Sequence, residues 1–229
     1  MTSFEVDSRS LTERVADKIE ELIAAKQLRP GQQIPAEREL AEFLGIGRST
    51  VRESIKILVS RNVLEIRRGT GTFVCDQVGV VDDPLGLRFI SDKKKLALDL
   101  NQVRRMVEPQ IAAIAAQEAS EEEVEQLQEL CDAVTQKINQ KQDYAEMDIA
   151  FHTRIAELTG NLVMPKMIPI ITQGIRSYVE LTKHRRAGKA NFTHQAVVNA
   201  IRAHDAEAAY EAMAAHLKEN RETIESLKF

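Results

Sequence analysis

Tryptophan is absent from this chain, tyrosine occurs three times, and aromatic residues make up only 4% of it. That scarcity weighs against a β-sandwich core, and the abundance of Ala, Leu, Ile, Glu and Gln favours helices instead. Cysteine is nearly absent too. Cys75 and Cys131 are too few and too separated for a disulfide framework or a cysteine-rich zinc site, and in a cytosolic chain both are expected to be reduced core residues. No long hydrophobic run is present. The most apolar stretch, residues 162–171, is broken by Pro165, Lys166 and Pro169. It is far shorter than the roughly 20 residues of a membrane span, so no membrane role is expected. The first ten residues are polar and acidic and lack the basic start and apolar stretch of a secretory signal, which makes the cytoplasm the expected location. Also missing are a His-Glu-x-x-His pattern, a nucleophile elbow and a phosphate-cradling glycine loop, so no enzyme is indicated.

The chain does have enough apolar material to fold, with 43% hydrophobic and 29% charged residues over 229 positions. At about 150 residues per domain, two modest domains are the working expectation. The formal net charge of −4 argues against indiscriminate binding to polyanions. Its distribution is uneven, however. Residues 45–75 hold Arg48, Arg52, Lys56, Arg61, Arg67 and Arg68 against only Glu53 and Glu65. A local basic patch on an acidic protein is the pattern of one face that meets nucleic acid.

Apolar residues at 11, 15, 19, 22 and 23 predict an amphipathic helix over residues 11–28, stopped by Arg29-Pro30-Gly31. A shorter helix fits residues 36–44, with Gly45 in the left-handed cap position. Gly47 can cap the next helix, residues 48–60, which buries Val51, Ile55 and Leu58 and ends where Asn62 adopts positive φ. Two short helices across a tight glycine-bearing turn make a helix-turn-helix. Residues 63–67 and 72–74 are β-prone runs around Arg68-Gly69-Thr70-Gly71, a small hairpin with a basic tip. Residues 76–86 are polar, contain Gly79 and Pro84, and read as a linker between a domain at 1–75 and one at 87–229. The second domain reads as helical to its end, with about seven helices, the first short. Val124, Leu127, Cys131, Val134 and Ile138 repeat at helical spacing there. The expected fold class is therefore mainly α.

Burying Val51, Ile55 and Leu58 turns Arg48, Ser49, Arg52 and Lys56 outward. The first amides of that helix are unpaired and its dipole is positive at this end, so it can sit against a phosphate while arginines reach base edges. The planar fork of arginine matches O6 and N7 of guanine. A hairpin tip with Arg67, Arg68 and Gly69 is shaped to enter or flank the minor groove.

The run LRPGQQIPAERELAEFLGIGRSTVRESIKILVSRNVLEIRRGTGTFV, residues 28–74, resembles the winged helix-turn-helix of GntR-family transcription regulators. The resemblance implies that Arg38, Arg48 and Arg52 contact DNA, with Ser49 and Thr50 at polar contact positions and Arg68 and Gly69 at the wing tip. Gly47 departs from the usual Ser or Thr and puts one hydroxyl contact in doubt. Asn62 replaces a usual Gly conservatively, because Asn tolerates positive φ.

Histidines supply a second constellation. Asp148 and His152 are four apart and share a helical face. Asp205 is eleven residues from both His194 and His216, so an antiparallel hairpin of the last two helices brings both imidazoles to one level. Three imidazoles and a carboxylate inside a bundle suit Zn²⁺, and also Ni²⁺ or Mn²⁺. Scattered histidines are also common as surface or satisfied core residues. His184 and His204 read as bystanders.

The segments VRRMVEPQIAAIAA, DIAFHTRIAELTGN and HQAVVNAIRAHDAEAAYEAMAAHL resemble the all-helical FCD effector domain of the FadR-like GntR subfamily. That resemblance implies a divalent metal, Zn²⁺ first, on Asp148, His152, His194 and His216, and a small carboxylate effector beside it. Arg104 and Arg176 are then candidates to clamp the carboxylate, since arginine binds it bidentately. Glu108 reads as a structural partner. An operator-binding homodimer on palindromic double-stranded DNA follows, because one recognition helix and wing contact only a few base pairs. Relief of repression by the acid is the expected sign. The competing readings are a metal-free sensor of acyl-CoA, a metal-dependent enzyme, and a helical interaction protein without a small ligand.

Overall fold

The computed structural model describes residues 9–76, 79, 83–173, 175 and 187–226, with the backbone alone for 187–192. It divides into two compact units, Met1–Pro84 and Leu85–Phe229. The division falls within the segment read as a linker.

In the first unit, α1 (Leu11–Ala25) starts at a capping box: Ser10 Oγ accepts from the Glu13 amide while the Glu13 carboxylate accepts from the Ser10 amide. The helix ends three residues before the expected position. Gln27 takes a left-handed φ of 51°, and the Leu28 amide donates back to the Ile23 carbonyl. This closure folds Leu28 onto the core, so burial of a leucine ends the helix ahead of Arg29-Pro30-Gly31.

Helices α2 (Glu37–Leu44) and α3 (Arg48–Ser60) follow, with Gly45 left-handed at φ 67° and Gly47 at the N-cap of α3. Asn62, at φ 53°, closes α3 as expected. Strands β1 (Leu64–Arg67) and β2 (Gly71–Val74) pair antiparallel, Leu64 opposite Val74. Residues 31–34 extend this wing: Ile34 donates to Thr72 and Val74 donates to Gln32. Gly71 must stay a glycine. Its φ is 137°, and a Cβ there would lie 2.2 Å from Gln33 Nε2. Val15, Ile19, Leu40, Val51, Ile55, Leu58 and Leu64 form one core between the three helices and the wing.

The second unit opens with a short 3-10 turn, Leu87–Phe89, then α4 (Lys93–Glu118), α5 (Glu121–Asn139), α6 (Ala145–Glu157), α7 (Met164–Ile171), α8 (Ala187–Arg202) and α9 (Ala206–Glu225). Helix α9 packs along α4 and α8, while α5 packs on α6 and α8, and α6 also meets α4 and α7. Ala112, Ala115 and Ala116 keep one face of α4 small, and Leu127, Cys131, Phe151, Ile155, Ile201, Met213 and Leu217 fill the bundle core around it. The stripe from Val124 to Ile138 is buried throughout. The protein is therefore mainly α: a winged helix-turn-helix unit followed by an all-helical bundle. Among the described residues, no helix is long and apolar enough to cross a membrane.

Candidate metal centre and nucleic-acid face

Four helices meet at one polar cluster inside the bundle. Helix α6 supplies Asp148 and His152 one turn apart. The α8–α9 hairpin turns at His204, left-handed at φ 53°, and Asp205, whose carboxylate accepts from the Ala208 amide. That turn sets His194 against His216, with ring centroids 4.4 Å apart. Donor atoms of His152, His194 and His216 all lie within 4.8 Å of one another, and every member is buried.

The surrounding hydrogen bonds specify how each ring is held. Arg104 Nη2, from α4, lies 2.9 Å from His152 Nε2. A guanidinium can only donate, so Nε2 accepts and the ring proton sits on Nδ1, which is 2.6 Å from Glu108 Oε2 but not well directed at it. Glu108 Oε1 in turn accepts from Arg104 Nε at 2.5 Å. A carboxylate holding the far nitrogen of a histidine is the usual outer partner of a metal ligand. For His216, the Asn220 amide donates to Nε2 at 3.1 Å, which leaves the Nδ1 proton for Thr193 Oγ1 at 2.9 Å. His194 is the least satisfied of the three. Its Nε2 is 3.1 Å from Asp148 Oδ1, yet neither ring nitrogen makes a well-directed hydrogen bond. Leaving a buried imidazole so poorly satisfied costs on the order of 1–3 kcal/mol, and an electrophile shared by these nitrogens removes that cost.

Charge states fit the same requirement. Burial works to raise the carboxyl of Asp148, but His194, His152 and Arg104 outweigh it and bring it down to about 2. Burial likewise opposes ionisation of Glu108, and Arg104 and His152 hold it well below the usual carboxylate range. Desolvation lowers both His152 and His216, the second further because cationic forms of His194 and His152 oppose it. Ionised carboxylate and neutral imidazoles are the states that coordinate divalent metals. The residues present therefore fit a metal, which would take the Nε2 lone pairs that Arg104 and Asn220 otherwise engage on His152 and His216.

A cavity of ≈ 20 Å³ borders the cluster, lined in part by Asn101, Arg104, Tyr144, Asp148, His216 and Asn220. That is room for about one water, so an organic acid must widen it. Arg176 and His184 lie outside the described residues. Asn101 was missed by the sequence reading: its Nδ2 donates to the Leu217 carbonyl while Oδ1 is buried and unpaired. Asn101, Arg104 and Glu108 share one face of α4, and Asn220 is one turn beyond His216, so helical spacing from the named ligands was the available signal.

On the first unit, Arg38, Arg48, Ser49, Arg52, Arg68 and Gly69 are exposed and Thr50 is half-buried. Arg38 approaches Glu42 at 3.6 Å, and Arg48 has no ion-pair partner among the described residues. Arg52 is held by Glu37, Nη2 to Oε2 at 2.8 Å. Gly69 turns the wing tip at φ 75°, with the Thr70 amide donating to the Arg67 carbonyl. Arg67 folds back over the Phe73 ring, 4.3 Å from its centroid, which leaves Arg68 as the tip cation.

Comparison with known proteins gives consistent matches. The model for bacterial regulatory proteins of the gntR family matches residues 11–74, and that for the FCD domain matches residues 99–219. The L-lactate dehydrogenase operon regulatory protein of Escherichia coli K12 is 34% identical over 222 residues, covering 91% of this chain and 84% of that protein. The HTH-type transcriptional repressor NanR of Escherichia coli K12 is 27% identical over 222 residues, 91% of this chain and 82% of its own length. The solved structure of Streptococcus agalactiae GntR superposes with a TM-score of 0.80 at 32% identity, covering 93% of this chain and all of that one.

Proposed function

Since the chain belongs to the GntR family of bacterial regulators and carries an FCD domain, it is a DNA-binding transcription regulator and not an enzyme; from that premise we propose that it is a repressor relieved by a small carboxylic acid, sensed at a divalent metal on Asp148, His152, His194 and His216. Zn²⁺ is the proposed ion, with Ni²⁺ and Mn²⁺ suited to the same donors. When bound, the metal supplies a Lewis-acidic position for the acid's oxygens. Arg104, which lines the adjoining cavity, is proposed to meet the carboxylate, with Arg176, outside the described residues, as the second candidate. The single observation that carries this reading is the buried imidazole set, with neither nitrogen of His194 in a well-directed hydrogen bond.

The DNA-facing residues in this proposal are Arg38, Arg48, Ser49, Thr50, Arg52, Arg68 and Gly69, presented twice by a homodimer to a palindromic operator. The name of the lactate operon relative makes 2-hydroxy acids the first effectors to screen. Elemental analysis of purified protein tests the metal: His152→Ala, His194→Ala and His216→Ala each lower metal content, while His184→Ala and His204→Ala do not. The reverse pattern overturns the ligand assignment. Calorimetry of the acid with and without operator, repeated after chelation, tests the rest. Linkage requires operator to change acid affinity by the factor by which acid changes operator affinity. Equal acid affinity with and without operator refutes the coupling, and strong acid binding to metal-free protein refutes the metal's role.

A further inference from the structure

The Arg52–Glu37 pair joins the recognition helix α3 to the first turn of α2. Its geometry is side-on. Arg52 Nε is 3.2 and 3.1 Å from the two Glu37 oxygens, and Nη2 is 2.8 Å from Oε2. One edge of the guanidinium is thereby used. The neighbouring edge, formed by Nη1 and the second N–H of Nη2, makes no hydrogen bond among the described residues, on a side chain that is 59% exposed. Its two parallel donors match O6 and N7 of guanine.

The carboxylate is hard to explain as support for a phosphate contact. Glu37 would bring a negative charge toward a polyanion and offset the charge of the arginine beside it. Nor is it explained by stability, since an exposed ion pair contributes little once water and salt screen it. What the carboxylate does provide is orientation: it removes most of the rotamer freedom of a long side chain before DNA arrives. Arg48, one turn earlier on the same face, has no such support.

Resting on the DNA-binding reading above, we propose that Arg52 reads a guanine through its free edge and that Glu37 is the positioning residue that aims it. Glu37 also acts as a filter, because its charge disfavours every register in which Arg52 would merely meet phosphate.

The test starts with duplexes selected from a random-sequence pool by the full-length chain. Every base pair of the selected half-site is then substituted in turn, and binding is compared for the unaltered chain, Arg52→Ala and Glu37→Ala. Arg52→Ala should remove the preference at one G·C pair, a loss of roughly 5- to 100-fold in discrimination there. Glu37→Ala should weaken the preference at that same pair and no other, while binding to unrelated duplexes tightens and its salt dependence steepens by up to about one ion. A structural role at the start of α2 would shift unfolding but not one base position. Glu37→Gln, which keeps an acceptor oxygen and the side-chain size, covers the case in which the alanine variant fails to fold; partial retention of the preference is expected. An unchanged base profile in the Glu37 variants overturns the brace, as does an Arg52→Ala loss shared equally by all duplexes. Failure of the unaltered chain to enrich any sequence overturns the DNA-reading premise as well.

Discussion

Two arginine–glutamate pairs, one on each unit, make the same kind of bond with opposite consequences. Arg52–Glu37 is a surface pair, its side chains 59% and 36% exposed. Arg104–Glu108 is buried, at 5% and 3%. Water and counterions can replace the partners of the first, which therefore remains available to DNA. Nothing in the bundle can replace those of the second. Its charges are offset chiefly by each other, with His152 beside both and Asp148 also facing Arg104, so the pair is tied to the imidazole cluster and to whatever binds there. Solvent thus separates a surface that can exchange partners from a centre that cannot.

The sharpest break of this comparison is Glu108→Ala. It strands Arg104 in the bundle and frees the far nitrogen of His152. Denaturant unfolding should show a loss of about 3–5 kcal/mol, and chelator competition a metal affinity lower by about 10–100-fold. A loss no larger than that from Glu37→Ala would erase the distinction between the two pairs.

Acid should act on the buried centre next. Burial holds His152 and His216 in the folded chain below the ordinary histidine value of 6.5. Below that pH the unfolded chain takes up protons that the folded chain refuses, so metal-free protein should lose stability as pH falls through 6.5. Asp148, at about 2 against the ordinary aspartate value of 3.8, adds stability that is present above 3.8 and lost between those values. Unfolding midpoints measured across this range check both windows. A flat response from pH 7 to 5 would contradict the neutral buried imidazoles.

On the exposed face, Arg48→Ala should cost about 1–3 kcal/mol on the selected duplex and much less on unrelated DNA, measured by titration at fixed salt. Equal losses on both would make Arg48 a phosphate contact. The smallest effect is expected for Glu37→Ala on folding: its unfolding midpoint should stay close to that of the unaltered chain, while its sequence discrimination changes.

Much of the backbone was legible because helix ends are encoded locally. Gly45, Gly47, Asn62 and Asp205 sit at the termini read from sequence, and each acts through its own φ or side chain. Convergence of His194 and His216 was legible for the same reason, since one cap between equal arms sets the level of both. The end of α1 was not. Gln27 and Lys141 are left-handed without being Gly or Asn, and at Gln27 the conformation follows from the burial of Leu28 rather than from any preference of glutamine.

From its sequence alone, then, the chain determined where its helices and wing begin and end, which face of each is apolar, and that Asp148 and three histidines can share one level of a bundle. Those are consequences of dihedral preference and helical period, which act over a few residues. Only the tertiary structure decided the partners: Glu108 behind His152 across 44 residues, Asn101 on the Leu217 carbonyl across 116, and Glu37 behind Arg52 across 15. Such pairings carry no local signal, because each polar group takes the partner that packing brings within reach once water is excluded or, at the surface, the one that a helix junction happens to present.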